Sequence, residues 1–229
     1  MAPKTFKGII FDFNGTLFLD SPLHEKAWLL YVKEKLGRVL SKEEYYKNMH
    51  GRPNPLICEY LFGKMPDAET VEKYGREKEE WYRLLCEKER EEKGKIDLCG
   101  GAEELLDFLN EQNIPHAIAT SSEAVNVKFF REVFGLDKWF KDRIVFDDGT
   151  VKGKPHPDIY LKTGKLLGLN MSDVIIVEDS ASGVQSAKAA GAGMVVGIAP
   201  YGKEKFVGTE YTDLIVSDFT ELDRTFFKK

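Results

Sequence analysis

Short apolar runs recur along this chain and alternate with helical patterns, and that alternation leaves few folds open. Residues 6–13, 115–120, 143–146, 173–178, 193–198 and 213–216 read as buried strands. The run Val174–Val177 carries no polar face, which is the pattern of a strand covered on both sides. Between the runs, residues 101–112 place Leu105, Leu106 and Leu109 on one helical face, and residues 122–135 carry Val125, Phe129, Phe130 and Val133. Residues 157–168 carry Ile159, Tyr160 and Leu167 and stop at Gly168, while residues 181–191 are small and stop at Gly191. Strands alternating with helices in this way imply an α/β fold, a parallel sheet with helices on both faces.

Residues 19–96 break that rhythm and read as wholly helical. Ser21-Pro22 predicts a helix start, with Ser21 as N-cap and proline at the first helical position. Ser41-x-x-Glu44 is a capping box. Asn54-Pro55 opens a third helix that Gly63 ends, and residues 67–93 form a long charged helix containing Trp81, Leu84 and Leu85. The organisation expected is an all-helical module, 19–96, inserted after the first strand of an α/β domain made of residues 1–18 and 97–229, with Gly100-Gly101 as a flexible joint. A module inserted there would sit over the carboxyl end of strand one, the edge where open α/β sheets bind ligands.

Bulk composition narrows the function. A chain of 229 residues suits one or two domains, and 42% hydrophobic residues suffice for a core. A net charge of −5 supplies no basic field for nucleic acid. No apolar run reaches the roughly 18 residues of a membrane span. Cys58, Cys86 and Cys99 form no CxxC pair or metal-ligand spacing, and read as reduced thiols. Lys4 and Lys7 lead straight into a strand, without signal-peptide form, so a cytoplasmic protein is expected, and a monomer is favoured.

The residues that carry chemistry fall after strands. Asp12 begins Asp-Phe-Asn-Gly-Thr-Leu, where a buried carboxylate can act as nucleophile or metal ligand. Thr120-Ser121-Ser122 offers hydroxyls to phosphate oxygens, although such residues also serve as plain N-caps. Lys154 stands in Gly153-Lys-Pro-His-Pro, a loop stiffened by two prolines, and could neutralise developing charge. Glu178-Asp179-Ser180 ends an apolar run, and two adjacent buried acids call for a divalent cation with oxygen ligands. Ser182-Gly183 then opens a helix of small residues, read as close helix–sheet packing.

The ordered set Asp12-x-Asn14-Gly-Thr16, Thr120, Lys154-Pro and Glu178-Asp179 resembles the haloacid dehalogenase superfamily of phosphohydrolases, from about residue 6 to about residue 200. The helical insert is similar to the C1 cap of subfamily I, and the chain looks most like its β-phosphoglucomutase-like branch of sugar-phosphate phosphatases and mutases. The resemblance implies a Rossmann-like core with a helical cap, acting on a small phosphorylated metabolite. Asp12 would become an aspartyl phosphate. Mg²⁺ would be held by Asp12, the backbone carbonyl of Asn14 and Asp179, with Glu178 as a direct or outer ligand. Thr120 and Lys154 would bind the transferring group, with Thr16 and Ser121 beside the substrate. His24, Arg52 and Lys78 are the cap candidates for substrate binding, each also readable as a solvated helical charge.

The pattern breaks at Asn14, where the superfamily's phosphatases and mutases usually carry an aspartate as general acid and base. An amide can do neither, and such losses typically cost about 10²–10⁴ in rate. Four readings stay open: a phosphatase using another acid such as His24, a variant with Asn introduced to trap a complex, a sensor of a phosphorylated metabolite, or an enzyme for acidic leaving groups such as acyl phosphates or pyrophosphate. A Schiff-base lysine, Lys26 or Lys78, is a fifth. Asn14-Gly15 is also a deamidation-prone dipeptide, and deamidation would restore some aspartate.

Overall fold

In a computed structural model, which describes residues 5–206 and 209–227, the strands form one sheet. They are β1 (Gly8–Phe11), β2 (His116–Glu123), β3 (Ile144–Asp147), β4 (Val174–Glu178), β5 (Met194–Ile198) and β6 (Leu214–Val216). All pairings are parallel and the order is β3-β2-β1-β4-β5-β6. This is the Rossmann-like α/β sheet expected. β1 and β4 are buried along their whole lengths, as central strands must be. The sheet grows one way from β1 and then the other way from β4. Its topological switch point therefore lies between two neighbours in register, Phe11 opposite Val177. The Asp12 N–H donates to Val177 O at 3.0 Å, so the chain leaves both strands side by side.

The chain divides into two compact units, Met1–Leu19 with Asp97–Lys229, and Asp20–Ile96. In the first, α5 (Ala102–Glu111), α6 (Ala124–Phe134), α7 (Asp158–Leu167) and α8 (Ala181–Ala189) flank the sheet. Ile10, Ile176, Val195, Tyr160, Val184 and Phe206 share one of its cores. Around the loop after β1, Phe13 packs on Phe130 and Phe134 with ring centroids 4.5 and 5.7 Å apart, and Phe18 lies 4.8 Å from Phe134.

The second unit holds α1 (Ser21–Leu36), α2 (Lys42–Asn48), α3 (Asn54–Phe62) and α4 (Ala68–Lys93). Its core gathers Trp28, Tyr31, Val32, Tyr45, Met49 and Ile57, with Trp81 packed against them. Leu85 is buried, whereas Leu84 is 62% exposed. No described helix is long and apolar enough to cross a membrane.

Several local expectations shift. The N-cap of α1 is Asp20 rather than Ser21, because the Leu23 and His24 N–H groups both bond to Asp20 O. α3 opens at Asn54-Pro55 and ends at Gly63 as expected, with Pro53 as its N-cap. The Ser41 box is half made: Ser41 Oγ accepts from the Glu44 N–H, but the Glu44 carboxylate turns to Arg38 and Tyr60. The buried residues of α6 are Asn126, Val127 and Phe130, and Val125 lies outside. Gly100 and Gly101 are not a loose hinge. Gly101 has φ +74°, an added Cβ would lie 2.7 Å from Thr220 N, and Gly100 O accepts from the Phe219 N–H, so the pair serves close backbone packing.

Phe13 is 1% exposed and flanks the loop that presents Asp12. Phe13→Ala is expected to lower stability by about 3–5 kcal/mol in urea unfolding, since the surrounding rings cannot collapse into the space.

Candidate active site

The segment between β3 and α7 brings one ammonium, Lys154, between a carboxylate just after β1 and another at the end of β4. Asp12 is 6% exposed and Glu178 is fully buried. Lys154 Nζ lies 2.6 Å from Asp12 Oδ1 and 2.5 Å from Glu178 Oε1, over the Tyr160 ring. Tyr160 OH donates to Glu178 Oε1 at 2.6 Å, and Glu178 Oε2 accepts from the N–H of Asp179, the N–H of Ser180 and the Ser180 hydroxyl. Glu178 thus anchors the site, with both oxygens engaged. The Ser180 hydroxyl also caps α8 by accepting from the Gly183 N–H. A Cβ on Gly183 would land on the Glu178 carboxylate, so the close helix–sheet packing expected here is the approach of α8 to the buried acid at the end of β4.

These charges leave a deficit of positive charge. Burial pushes the Asp12 carboxyl up to about 8, and Glu178 and Asp179 add to that, with Lys154 opposing. Asp179 is pushed to about 6 by burial and by Glu178, with Lys205 Nζ opposing at 3.2 Å. Burial also works against the Glu178 anion, yet Lys154 and its hydrogen bonds hold it below its usual range. Lys154 is held above the ordinary lysine range by both acids, against its own burial. Asp12, Glu178 and Asp179 each offer an oxygen within 4.8 Å of the others. An all-oxygen donor set with excess negative charge fits a hard divalent cation. Gly15 contributes to the fit, since its φ is +78° and a Cβ there would lie 2.5 Å from Asp179 Oδ2.

The loop around Asn14 is tightly bonded. Phe13 O accepts from the N–H of Thr16 and of Phe18, and the Gly15 N–H donates to Phe18 O at 2.7 Å. Ser122 Oγ donates to Asn14 Oδ1 at 2.7 Å. Deamidation needs the Gly15 nitrogen to attack the Asn14 side chain, and this structure engages both groups elsewhere.

The remaining candidates are placed as follows. Thr120 is 2% exposed and its Oγ1 accepts from the Ser122 N–H. It lies within β2, which runs on to Glu123 past an irregularity, rather than in a loop. Ser121 is exposed. Thr16 is fully buried, and its hydroxyl is the one buried side-chain polar atom without a hydrogen bond among the described residues. In the helical unit, His24 Nε2 lies 3.2 Å from Asp20 Oδ2, its ring stacks on Tyr82, and its Nδ1 is 3.0 Å from Lys78 Nζ. The Lys78 ammonium has only donors, so His24 accepts at Nδ1 and carries its proton at Nε2, toward Asp20. Lys78 is 4% exposed and paired with Glu79, so it is no solvated charge. Arg52 and Lys26 are exposed, and Arg52 reaches the Lys47 carbonyl. Sequence reasoning missed Ser122 as the partner of Asn14, Tyr160 as more than core, Asp20, and Lys205. Ser122 and Tyr160 emerge only from tertiary contacts, Asp20 from its local contact with His24 together with a bond from the distant Tyr82 hydroxyl, and Lys205 sits in a short 3-10 turn (Lys203–Phe206) without periodic signal.

Comparison with known proteins agrees with this geometry. The family model described as haloacid dehalogenase-like hydrolase matches residues 6–191. Hexitol phosphatase A of Escherichia coli is 30% identical over 194 residues, 85% of this chain and 84% of that protein. The crystal structure of a family IA, variant 3 hydrolase from Entamoeba histolytica superposes with a TM-score of 0.87 at 40% identity, covering 96% of each chain. A mutant of CbbY from Rhodobacter sphaeroides, solved with xylulose-(1,5)-bisphosphate, gives 0.76 at 26% identity, covering 95% of this chain and 96% of that one.

Removing the shared cation exposes the repulsion it offsets. Lys154→Ala is expected to cost about 3–5 kcal/mol at neutral pH in metal-free urea unfolding. The loss should shrink toward pH 4, because without Lys154 burial acts on Asp12 and Glu178 with less to oppose it, and both acids regain protons there. Separately, peptide mapping of aged protein is expected to find Asn14 intact while exposed amides convert; aspartate or isoaspartate forming at Asn14 at the rate of a free Asn-Gly peptide would contradict the bonding described.

Proposed function

The chain belongs to the haloacid dehalogenase-like hydrolases, and on that footing we propose that it is a phosphatase. It would move the phosphoryl group of a small phosphorylated metabolite, a sugar phosphate foremost, to Asp12 and then to water. One observation carries the reading: the Asp12 carboxylate stands at the sheet's switch point with Lys154 Nζ 2.6 Å away and Asp179 in the same cluster. The hexitol phosphatase and the sugar-bisphosphate complex of the CbbY mutant support the substrate class.

In this mechanism Asp12 attacks phosphorus in line with the leaving oxygen, which splits a difficult hydrolysis into two displacements. Lys154 stabilises the charge spread over the equatorial oxygens, and its two acid partners fix its position. Thr120 supplies a hydroxyl from the neighbouring strand. A divalent cation, with Mg²⁺ the expected one, held by Asp12, the Asn14 backbone carbonyl and Asp179, would supply the missing positive charge and keep both carboxylates ionised. Glu178 positions Lys154 and the start of α8. The inserted helical unit is assigned the selection of substrate, with His24 and Lys78 as its foremost candidates and Arg52 as a more exposed one.

Asp12→Asn is expected to abolish phosphate release across a panel of sugar phosphates assayed with Mg²⁺. Asn14→Asp is expected to raise kcat on the same panel by about 10²–10⁴, the span of general acid–base catalysis. A panel untouched by either this chain or its Asn14→Asp variant, together with a rise in Tm on adding one of its members, would instead show a binding protein.

A further inference from the structure

We infer that Lys205 is a built-in competitor of the divalent cation: its ammonium occupies Asp179 in the metal-free protein and gives way when the metal binds, so this lysine sets the metal concentration at which the site loads. The inference rests on the reading of Asp12, Glu178 and Asp179 as a cation-binding cluster, and extends it to a residue outside that cluster.

Lys205 reaches Asp179 from the neighbouring strand. β4 and β5 are parallel, with Glu178 opposite Gly197, so the chain leaving β5 emerges beside the acids that end β4. Phe206 is 1% exposed, and a Cβ on Gly197 would lie 2.8 Å from its ring. The glycine therefore lets that ring sit directly on the strand, which pins the turn Lys203–Phe206 there. Lys203 ties the other end of the turn to Glu221 at 2.6 Å. Between these anchors Lys205 Nζ lies 3.2 Å from Asp179 Oδ2. Oδ2 is also the Asp179 oxygen nearer to where a Gly15 Cβ would stand, 2.5 Å against 3.0 Å for Oδ1. The lysine thus holds the oxygen turned toward the loop whose Asn14 carbonyl is the expected backbone ligand.

The two lysines around the cluster differ in how firmly they are held. The Lys154 side chain is 8% exposed and stands between two carboxylates, at 2.6 and 2.5 Å. The Lys205 side chain is 49% exposed and meets Asp179 at the longer distance of 3.2 Å. A half-exposed pair of this kind contributes little on its own. A divalent cation brings twice the charge to the same carboxylate and favours oxygen ligands, and an ammonium left on that oxygen would be repelled by it. Exchange also balances the site. Without metal, three carboxylates face two ammoniums, and a divalent cation in place of Lys205 neutralises the cluster when its acids are ionised. The flexible lysine stem allows the ammonium to leave while Phe206 and Lys203 keep the turn in place.

The test uses the full chain stripped of metal by a chelator, with the variants Lys205→Met and Lys203→Met, which remove the same charge from the same turn. Mg²⁺ binding is read by isothermal titration calorimetry, and Tm is measured with and without Mg²⁺. Lys205→Met is expected to tighten the Mg²⁺ Kd by about fivefold, the upper end for a half-exposed pair, and Lys203→Met to leave it within about twofold. Lys205→Met should melt below this chain without Mg²⁺ and level with it at saturating Mg²⁺, because the loaded form no longer uses the pair. A Kd unchanged or weakened in Lys205→Met overturns the inference, as does a Tm deficit that persists at saturating Mg²⁺. Equal tightening in Lys203→Met overturns it too, since the effect would then belong to surface charge at large. Absence of Mg²⁺ binding in all three chains overturns the cation cluster itself, a failure distinct from the others because in those the metal still binds.

Discussion

The contact on which the rest of this molecule depends is the buried bridge from Lys154 to Asp12 and Glu178. Two carboxylates and one ammonium have been taken out of water at the end of a parallel sheet, and each would be costly alone. The bridge survives because Tyr160, Ser180 and two backbone N–H groups fill the remaining lone pairs of Glu178. It is still short of positive charge. An acid held at about 8, as Asp12 is, keeps a proton that the unfolded chain has lost, so the metal-free fold grows less stable as pH rises from about 4 toward 8. Folding accepts this strain at the place where a cation and a phosphoryl group would relieve it.

Backbone topology explains why the bridge can form. Reversal of sheet growth between β1 and β4 opens a crevice at their carboxyl ends without any sacrifice of core packing. Two glycines then let acids approach where a side chain would obstruct them: Gly183 under Glu178, and Gly15 against Asp179. The aromatic cluster of Phe13, Phe18, Phe130 and Phe134 fixes the first loop from below. Site and core share the loop, since Asp12 and Asn14 alternate with Phe13, one side chain buried in the rings and its neighbours turned to chemistry.

The alternation of strands and helices was legible because burial on both faces writes itself as apolar runs, and all six observed strands begin within the expected runs, although β2 continues through polar residues to Glu123. The residues drawn to the β1 and β4 ends were legible for a related reason: a charge directly after an apolar strand has few places to go. What escaped was what distant segments do to one another. Nothing near Ser122 in sequence says that it reaches Asn14, 108 positions away, and Tyr160 reads as an apolar helix residue until its hydroxyl is found on Glu178. Gly100-Gly101 looked like a hinge because glycine permits flexibility and close packing alike, and only the approach of Thr220 distinguishes them. Helix starts moved by a residue where a backbone carbonyl, as at Asp20, did the capping that a side chain was expected to do.

Asn14 gathers these threads. A loop built loosely around it would make it chemically labile. The amide keeps the backbone carbonyl that a metal would use, and through Ser122 is tied to the strand that carries Thr120. What the amide cannot do is supply or take up a proton at ordinary pH. Under the phosphatase reading, binding and displacement at phosphorus would draw on the Lys154 charge and the carboxylate cluster, and Asn14 would leave the proton-moving steps to another group.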